Sequence, residues 1–372
     1  MREVEHLFYA NALGLDYQQG QFVLYAQILN PQTIGKQQSN GKSSEVSSWV
    51  GVGKGETVAK AFEDLYSTTQ RRVFWGHLTV LLFSENALKS VGMAPFIDLI
   101  NRYHEFRYLP WVYCTSDSLQ DVLLTQPILE NTPIYSLLSD PLTTYSQSSF
   151  IRPFRLYRDM SNLMEPSCPK FILEVSLARD RWFNRQQVYL EPRLSGIALI
   201  RKGRMVGRLG RSELTGVVWC SSHTRRVFLS LREKNKPVAV LVMENPKCRV
   251  RPILTQSGLK FDMTLRIHGY VSTLQIPATE SKLKALAAAQ IRRDVRQTYV
   301  KALEMNQDVL GLEDPFYRRH PAAFKRWQQR GGVKLLNQKS LRTIDVQVRI
   351  DHSGRTQESA QHYMNHGPDR PK

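Results

Sequence analysis

Two short stretches hold residue types that could begin phosphate or metal chemistry. Gly51-Val52-Gly53-Lys54-Gly55-Glu56-Thr57 has the glycines and the lysine of a phosphate loop. Such a loop needs a hydroxyl directly after the lysine, to hold magnesium, and a glycine at its upstream end. Gly55 follows Lys54 and Ser48 stands upstream, so both requirements fail; the stretch reads as a glycine turn feeding a helix. His104-Glu105 opens like a zinc-protease helix, but Tyr108 replaces the second histidine, and one imidazole does not hold zinc. His352, His362 and His366 are not at ligand spacing. No Gly-x-Ser-x-Gly elbow is present. Cys114, Cys168, Cys220 and Cys248 form no Cys-x-x-Cys pair; they read as sparse buried thiols, with one or two disulfides as the alternative. The residues offer no catalytic set, no metal site and no cofactor motif, and an enzyme is not expected.

The densest chemical signal is basic. Arg201, Lys202, Arg204, Arg208 and Arg211 sit on a predicted hairpin, with strands at 194–200 and 205–209 flanking an Arg-Lys-Gly-Arg turn. Such a hairpin offers either an anion-binding ridge or a solvated tip. Nucleic-acid modules interleave stacking rings with positive charge, and no aromatic lies between Leu194 and Thr215. No nucleic-acid partner is therefore expected. Trp75-Gly76-His77, just before an apolar strand, lines a groove or packs in the core.

Charge divides the chain. The formal charge of +18 arises from 17 Lys/Arg against 18 Asp/Glu in residues 1–190, and 34 against 15 in residues 191–372. The second half alone is strongly positive, which suits an anionic lipid surface or an acidic protein face. At 372 residues, 42% hydrophobic, the chain is long enough for two or three cores. Its longest apolar runs, 78–83 and 238–243, are far too short to span a membrane as a helix.

The elements that position these residues follow from periodicity. Segments 7–15 and 21–29 read as strands, 32–48 as a polar loop, 49–53 as extended, 56–69 as a helix and 78–83 as a buried strand. A helix at 94–103 and a strand at 111–113 continue an α/β alternation. Residues 117–185 carry prolines 127, 133, 141, 153, 166 and 169, and read as an irregular connector closing on an edge strand at 171–177. Beyond a boundary at 185–192, strands are expected at 194–200, 205–209, 217–220, 227–231, 238–243, 248–254 and 260–272. Thr279 then opens a helix whose apolar stripe runs Leu283, Leu286, Ala287, Ile291, Val295, Tyr299, Leu303 and Leu310, stopped by Gly311. A basic amphipathic piece (320–330) and an alternating strand (344–350) complete the chain before a frayed tail. The fold class expected is mixed α+β, multi-domain, with a long C-terminal helix on an antiparallel sheet. The expected division is an N-terminal α/β domain at 1–185, a basic α+β domain at 190–355 and a flexible tail at 356–372.

Four stretches together resemble one family, the Ger(x)C spore germination lipoproteins. They are Arg2-Glu3-Val4-Glu5 leading into Ala12-Leu13-Gly14-Leu15-Asp16; Arg71-Arg72-Val73-Phe74-Trp75-Gly76-His77; Gly196 through Gly207 with Glu213 and Gly216; and Asp308-Val309-Leu310-Gly311-Leu312 followed by Tyr317-Arg318-Arg319-His320-Pro321. They occur in order between residues 2 and 355. The resemblance implies the C subunit of a nutrient-germinant receptor at the spore inner membrane, lipid-anchored on its extracytoplasmic face. It further implies two integral-membrane partner subunits, of A and B type, one of them transporter-like, and no enzymatic activity or cofactor. It gives Gly14, Asp16, Gly76, His77, Gly196, Gly207, Glu213, Gly216, Asp308 and Gly311 a structural role. One departure from the pattern is that no signal peptide or lipobox cysteine precedes Arg2 in this chain. A lipid chain alone binds membranes marginally, so the basic half, led by Arg201, Lys202, Arg204, Arg208 and Arg211, is expected to face the anionic membrane or its embedded partners. The alternatives are an extracytoplasmic lipoprotein that captures a small nutrient and, with less support, a basic nucleic-acid-binding protein.

Overall fold

The computed structural model describes residues 7–29, 48–128, 132–185, 187–256 and 258–351. The Arg2–Glu5 stretch, nearly all of the polar loop and the histidine-containing tail lie outside the described residues. Nine strands form a first sheet: β1 (Leu7–Gln18), β2 (Gln21–Leu29), β3 (Ser48–Gly55), β4 (Arg72–Phe74), β5 (Val80–Ser84), β6 (Trp111–Thr115), β7 (Phe171–Asn184), β8 (Gln187–Arg201) and β9 (Arg204–Gly210). Helices α1 (Val58–Ser67), α2 (Glu85–Ser90), α3 (Ala94–Arg102), α4 (Leu119–Leu124), α5 (Pro141–Gln147) and α6 (Leu156–Met164) lie between these strands in the chain. The order across the sheet is β3-β2-β1-β5-β6-β7-β8-β9, with β4 beside the start of β1. The inner strands β1, β5, β6 and β7 run parallel because helical crossovers join them; hairpins add antiparallel strands on both sides.

Strands β5 and β6 are buried at every residue, as parallel strands covered on both faces must be. Alternate residues feed two cores. Leu13, Leu81, Phe83 and Val112 pack with Phe62, Leu88 and Phe96 of α1, α2 and α3. Ala12, Val80, Leu82 and Tyr113 join the core of α4, which continues into the second half of the chain. The Gly51-x-Gly53-x-Gly55 stretch is strand β3, not a turn. A Cβ at Gly53 would lie 2.2 Å from the Ala61 carbonyl oxygen, and one at Gly55 2.5 Å from the Ala61 nitrogen. The alternate glycines let α1 lie directly on the strand.

The second sheet holds β10 (Arg226–Glu233), β11 (Lys236–Thr255), β12 (Gly258–Leu274) and β13 (Leu341–Ile350) in that order. Before it lies the helical turn α7 (Val217–Cys220), and between β12 and β13 lie α8 (Glu280–Glu304), α9 (Glu313–Arg319) and α10 (Pro321–Gln329). Thr279 caps α8 by accepting from the Lys282 N–H at 3.3 Å. The stripe Leu283, Ala287, Ile291, Val295, Tyr299 and Ala302 is buried, in one core with Leu241, Phe261, Leu265 and Ile344 of the sheet. The mixed α+β class and the long helix on a sheet are as expected.

Several expected elements differ in detail. Val217–Cys220 is a helical turn rather than a strand: Trp219 Nε1 donates to Asp294 Oδ2 at 3.0 Å, and the Gly216 N–H donates to Thr298 Oγ1 at 2.9 Å. Helix α8 ends at Glu304, not near Leu310, because Asn306 takes a left-handed φ of 52° and the Gln307 N–H closes on the Ala302 carbonyl. The segments expected at 238–243 and 248–254 are one strand, β11, with a register shift between Glu244 and Lys247. Strand β13 joins β12 in parallel, because α8 carries the chain back along the sheet before it enters. The strand at Phe171 is interior, paired with β6 and β8. The expected boundary at 185–192 falls on the β7–β8 turn and the first residues of β8, inside the first sheet, and the basic hairpin 194–210 belongs to that sheet.

Candidate functional site

The basic hairpin closes through Lys202 (φ 50°) and Gly203 (φ 76°), a left-handed pair suited to a tight turn. Its arginines mostly reach back onto the protein. Arg201 Nη2 donates to the Met305 and Asn306 carbonyls at 3.0 Å each, and Arg204 Nη1 to the Ser90 carbonyl at 2.7 Å. Arg208 stands 3.4 Å from the Glu174 carboxylate and 3.9 Å from Glu85. Burial raises the Glu174 pKa, while Arg208 draws it down. The Arg211 guanidinium lies 4.4 Å from the Phe150 ring centre, and burial lowers its pKa. The hairpin therefore acts as a clasp between the first sheet, the end of α8 and the loop after α2. Lys202 sits at its tip.

A row of cations from the second half lies on the face of the second sheet that α8 leaves open. Register places Lys247 beside Arg266 and Gln347, and His268 beside Arg349; Arg249 and Arg251 continue the β11 row. Asn245, Lys247, Arg266, His268, Gln347, Arg349 and Asp351 surround a shallow concavity of about 620 Å³. Arg266 Nε donates to Gln347 Oε1 at 3.2 Å. Arg342 pairs with Asp262, and that hydrogen bond lowers the Asp262 pKa. The face is positive with a few carboxylates interleaved, a surface that suits an anionic partner. Alternation along β12 announced a buried face; only the register of three strands shows which cations meet opposite it.

A second concavity brings together two stretches singled out in the sequence. Tyr66, Thr69, Arg71, Arg72, Trp75, Tyr103, His104 and Glu105 line a cleft of about 760 Å³. Its floor is aromatic: Trp75 stacks on Phe106 at 5.5 Å and donates from Nε1 to Tyr66 Oη at 2.9 Å. Arg72 and Glu105 form an ion pair at its rim. Size and lining suit a small polar molecule. Among the described residues no group of three or more His, Cys, Asp or Glu is placed to hold a metal. The four cysteines are free thiols.

The family-motif residues hold backbone together. Asp16 accepts from the Tyr17 N–H at 2.7 Å and from Ser84 Oγ. His77 packs against the edges of Tyr9 and Phe74, each 5.5 Å away, with Gly76 under the Phe74 ring. Gly14 lies under Leu123 of α4, Gly196 against the Leu209 carbonyl, and Gly207 against Met305. Glu213 Oε2 accepts from the Gly210 N–H at 2.8 Å. Asp308 is a hub: it accepts from Leu310 at 3.2 Å and Glu313 at 2.7 Å, beneath a left-handed Gly311. Burial pushes the Asp308 pKa up to about 6. Burial, then the nearby Asp308 charge, pushes that of Glu313 up to about 8. Glu313 and its buried partnership with Asp308 were not singled out from sequence, because a Glu in a charged stretch carries no mark of burial.

Comparisons with known proteins cover most of the chain. Residues 1–173 match the family model "Spore germination protein N-terminal domain", and residues 195–354 match "Spore germination B3/ GerAC like, C-terminal". The chain is 21% identical over 354 residues to spore germination protein KC of Bacillus subtilis (strain 168), covering 88% of this chain and 84% of that protein. It is 22% identical over 310 residues to spore germination protein YndF of the same organism, covering 81% and 73%. The crystal structure of the GerBC protein superposes with a TM-score of 0.58 at 17% identity, covering 94% of this chain and all of that one, and so shares the fold. The chain belongs to the GerAC-like family of spore germination proteins.

Proposed function

We propose that this chain is the C-type subunit of a nutrient-germinant receptor, non-enzymatic, lipid-anchored at the outer face of the spore inner membrane, and working with two integral-membrane subunits. The observation that carries this reading is the succession of the two family models, over residues 1–173 and 195–354. Among the described residues no helix is long and apolar enough to cross a membrane; in this reading attachment rests on lipid and on partners. The open basic face of the second sheet, with Lys202 at the clasp tip, is the surface best suited to an acidic partner or anionic headgroups. Spores lacking the chain should lose the response to at least one nutrient, read as the fall in optical density, and regain it on complementation. Normal responses across a panel of amino acids, sugars and nucleosides contradict the reading.

A second reading is favoured by the aromatic cleft around Trp75: direct capture of a small nutrient. Its test is thermal-shift screening of the purified chain against L-amino acids and sugars, with the variant Tyr103→Ala/His104→Ala, exposed lining residues, as control. A shift lost in the variant supports capture; no shift with any compound at millimolar concentration removes it.

A further inference from the structure

Strands β7 and β8 run on together past the last β6 pairing at Cys114–Glu174 and before the β9 pairing begins at Gly196. Over that length the ribbon has only two strands, extending roughly 30 Å at ~3.3 Å per residue. A two-stranded ribbon is marginal by itself, yet its outer part is exposed from Arg179 to Tyr189 among the described residues. Trp182 is 54% exposed, Phe183 63%, Val188 49% and Tyr189 37%. Register puts Trp182 opposite Tyr189 and Phe183 opposite Val188, so one large apolar pair lies on each face. Arg185 lies in the turn, with Asn184 and Gln187 closing it; on the approach, Arg179 stands 4.0 Å from Asp117 and Arg181 3.5 Å from Asp180, which leaves Arg185 as the cation at the tip. The base is fixed, since Glu191 accepts from the Ile128 N–H at 3.1 Å and Asp117 from the Leu177 N–H at 2.7 Å. A rooted arm thus presents Trp, Phe, Tyr and Arg to solvent, largely the residue types that dominate interface energetics.

We propose that this ribbon is a docking arm that enters a cleft of a partner protein, one with apolar walls on both sides and carboxylates at its floor. Two observations favour a protein over a bilayer. Entry tip-first into lipid would carry Arg185 and the two amides deepest, ahead of the aromatic rings, and a guanidinium is strongly disfavoured in hydrocarbon. Lying flat would bury one apolar pair and leave the other in water. A cleft covers both pairs and can answer Arg185 with a carboxylate. The arm also extends from the C-terminal ends of the parallel strands, whereas Leu7 begins β1 at their N-terminal ends. Anchored at its N-terminal end, as in the reading above, the chain would hold the arm away from the lipid surface. The proposal rests on that reading only for where the partner is sought.

The test is site-specific photocrosslinking of the full chain in spore membranes, with benzoylphenylalanine at position 182 or 183 and at Tyr135 as an exposed control. Positions 182 and 183 should link to one and the same integral-membrane receptor subunit, through peptides carrying Asp or Glu within a few residues, and position 135 should not. Arg185→Glu should lower the yield at least fivefold. Linkage to lipid, to a second copy of the chain, or to no protein overturns the proposal. In a second measurement, the purified chain and its Trp182→Ser/Phe183→Ser variant are sedimented with vesicles of 70% zwitterionic and 30% anionic lipid. Equal binding is expected, and loss in the variant assigns the arm to the bilayer instead. The side chains are exposed, so the variant should melt with the parent; if it does not, Arg185→Glu alone carries the test. A chain that co-isolates with integral-membrane subunits while positions 182 and 183 stay unlinked rejects the arm and leaves the receptor reading standing.

Discussion

The buried carboxylates Asp308 and Glu313 make stability depend on pH in a stated direction. Both ionise near pH 4 in an unfolded chain and near 6 and 8 in the folded one. Between those values the native state holds more protons than the unfolded state, so stability falls as pH rises. Their contribution is complete below about pH 4 and is lost as pH climbs through 8. The melting temperature should drop by several degrees between pH 5 and pH 8, and Glu313→Gln should flatten the upper part of that decline; an unchanged slope contradicts the burial argument. Close backbone contact makes a second prediction at this scale. Gly53→Ala drives a methyl into the Ala61 carbonyl and should cost about 1–3 kcal/mol or more in urea unfolding. Gly20, with open space at its Cβ, gives the contrasting case: its left-handed φ alone should make an alanine cost less than at Gly53.

Helix α8 organises the second half, and its stability divides unequally between end and stripe. Thr279→Ala removes one cap and should cost about 1 kcal/mol. Ile291→Ala empties a fully buried site between helix and sheet and should cost about 2–5 kcal/mol. Denaturant midpoints of the two variants compare these directly, and equal costs would mean the helix is not seated as described. The helix was legible in the sequence because Leu283 to Tyr299 keep a strict stripe; its end was not. Leu310 continues the period by coincidence, while Asn306 turns the backbone and the Asp308 side chain gathers the following amides. The parallel entry of β13 was equally hidden, since alternation in Ile344–Ile350 shows a buried face but no direction. Val217–Cys220 misled because a four-residue apolar run has no period to read.

At the scale of the molecule, the cations behind the charge step at residue 190 divide between two surfaces. Arg201, Arg204, Arg208 and Arg211 clasp the first sheet to its neighbours, whereas Lys247, Arg249, Arg251, Arg266 and Arg349 share an open face set by the pairing of three strands. Reversing Lys247, Arg249 and Arg266 to Glu should weaken sedimentation with 30% anionic vesicles several-fold at 50 mM salt and leave melting nearly unchanged, because exposed charges contribute little to stability. Reversing Arg201, Arg204 and Arg208 should instead lower the melting temperature. The motifs that marked the family were legible because each serves a local backbone demand, and a groove was one of the two readings of Trp75–His77; the arm at Trp182 was not legible, because exposure is a property of the assembled sheet. The most direct measurement of the central claim is affinity isolation of the tagged full chain from detergent-solubilised spore inner membranes, with mass spectrometry of what comes with it. Two integral-membrane germinant-receptor subunits in comparable amount are predicted. Recovery of the chain alone, in the soluble fraction, would contradict the account.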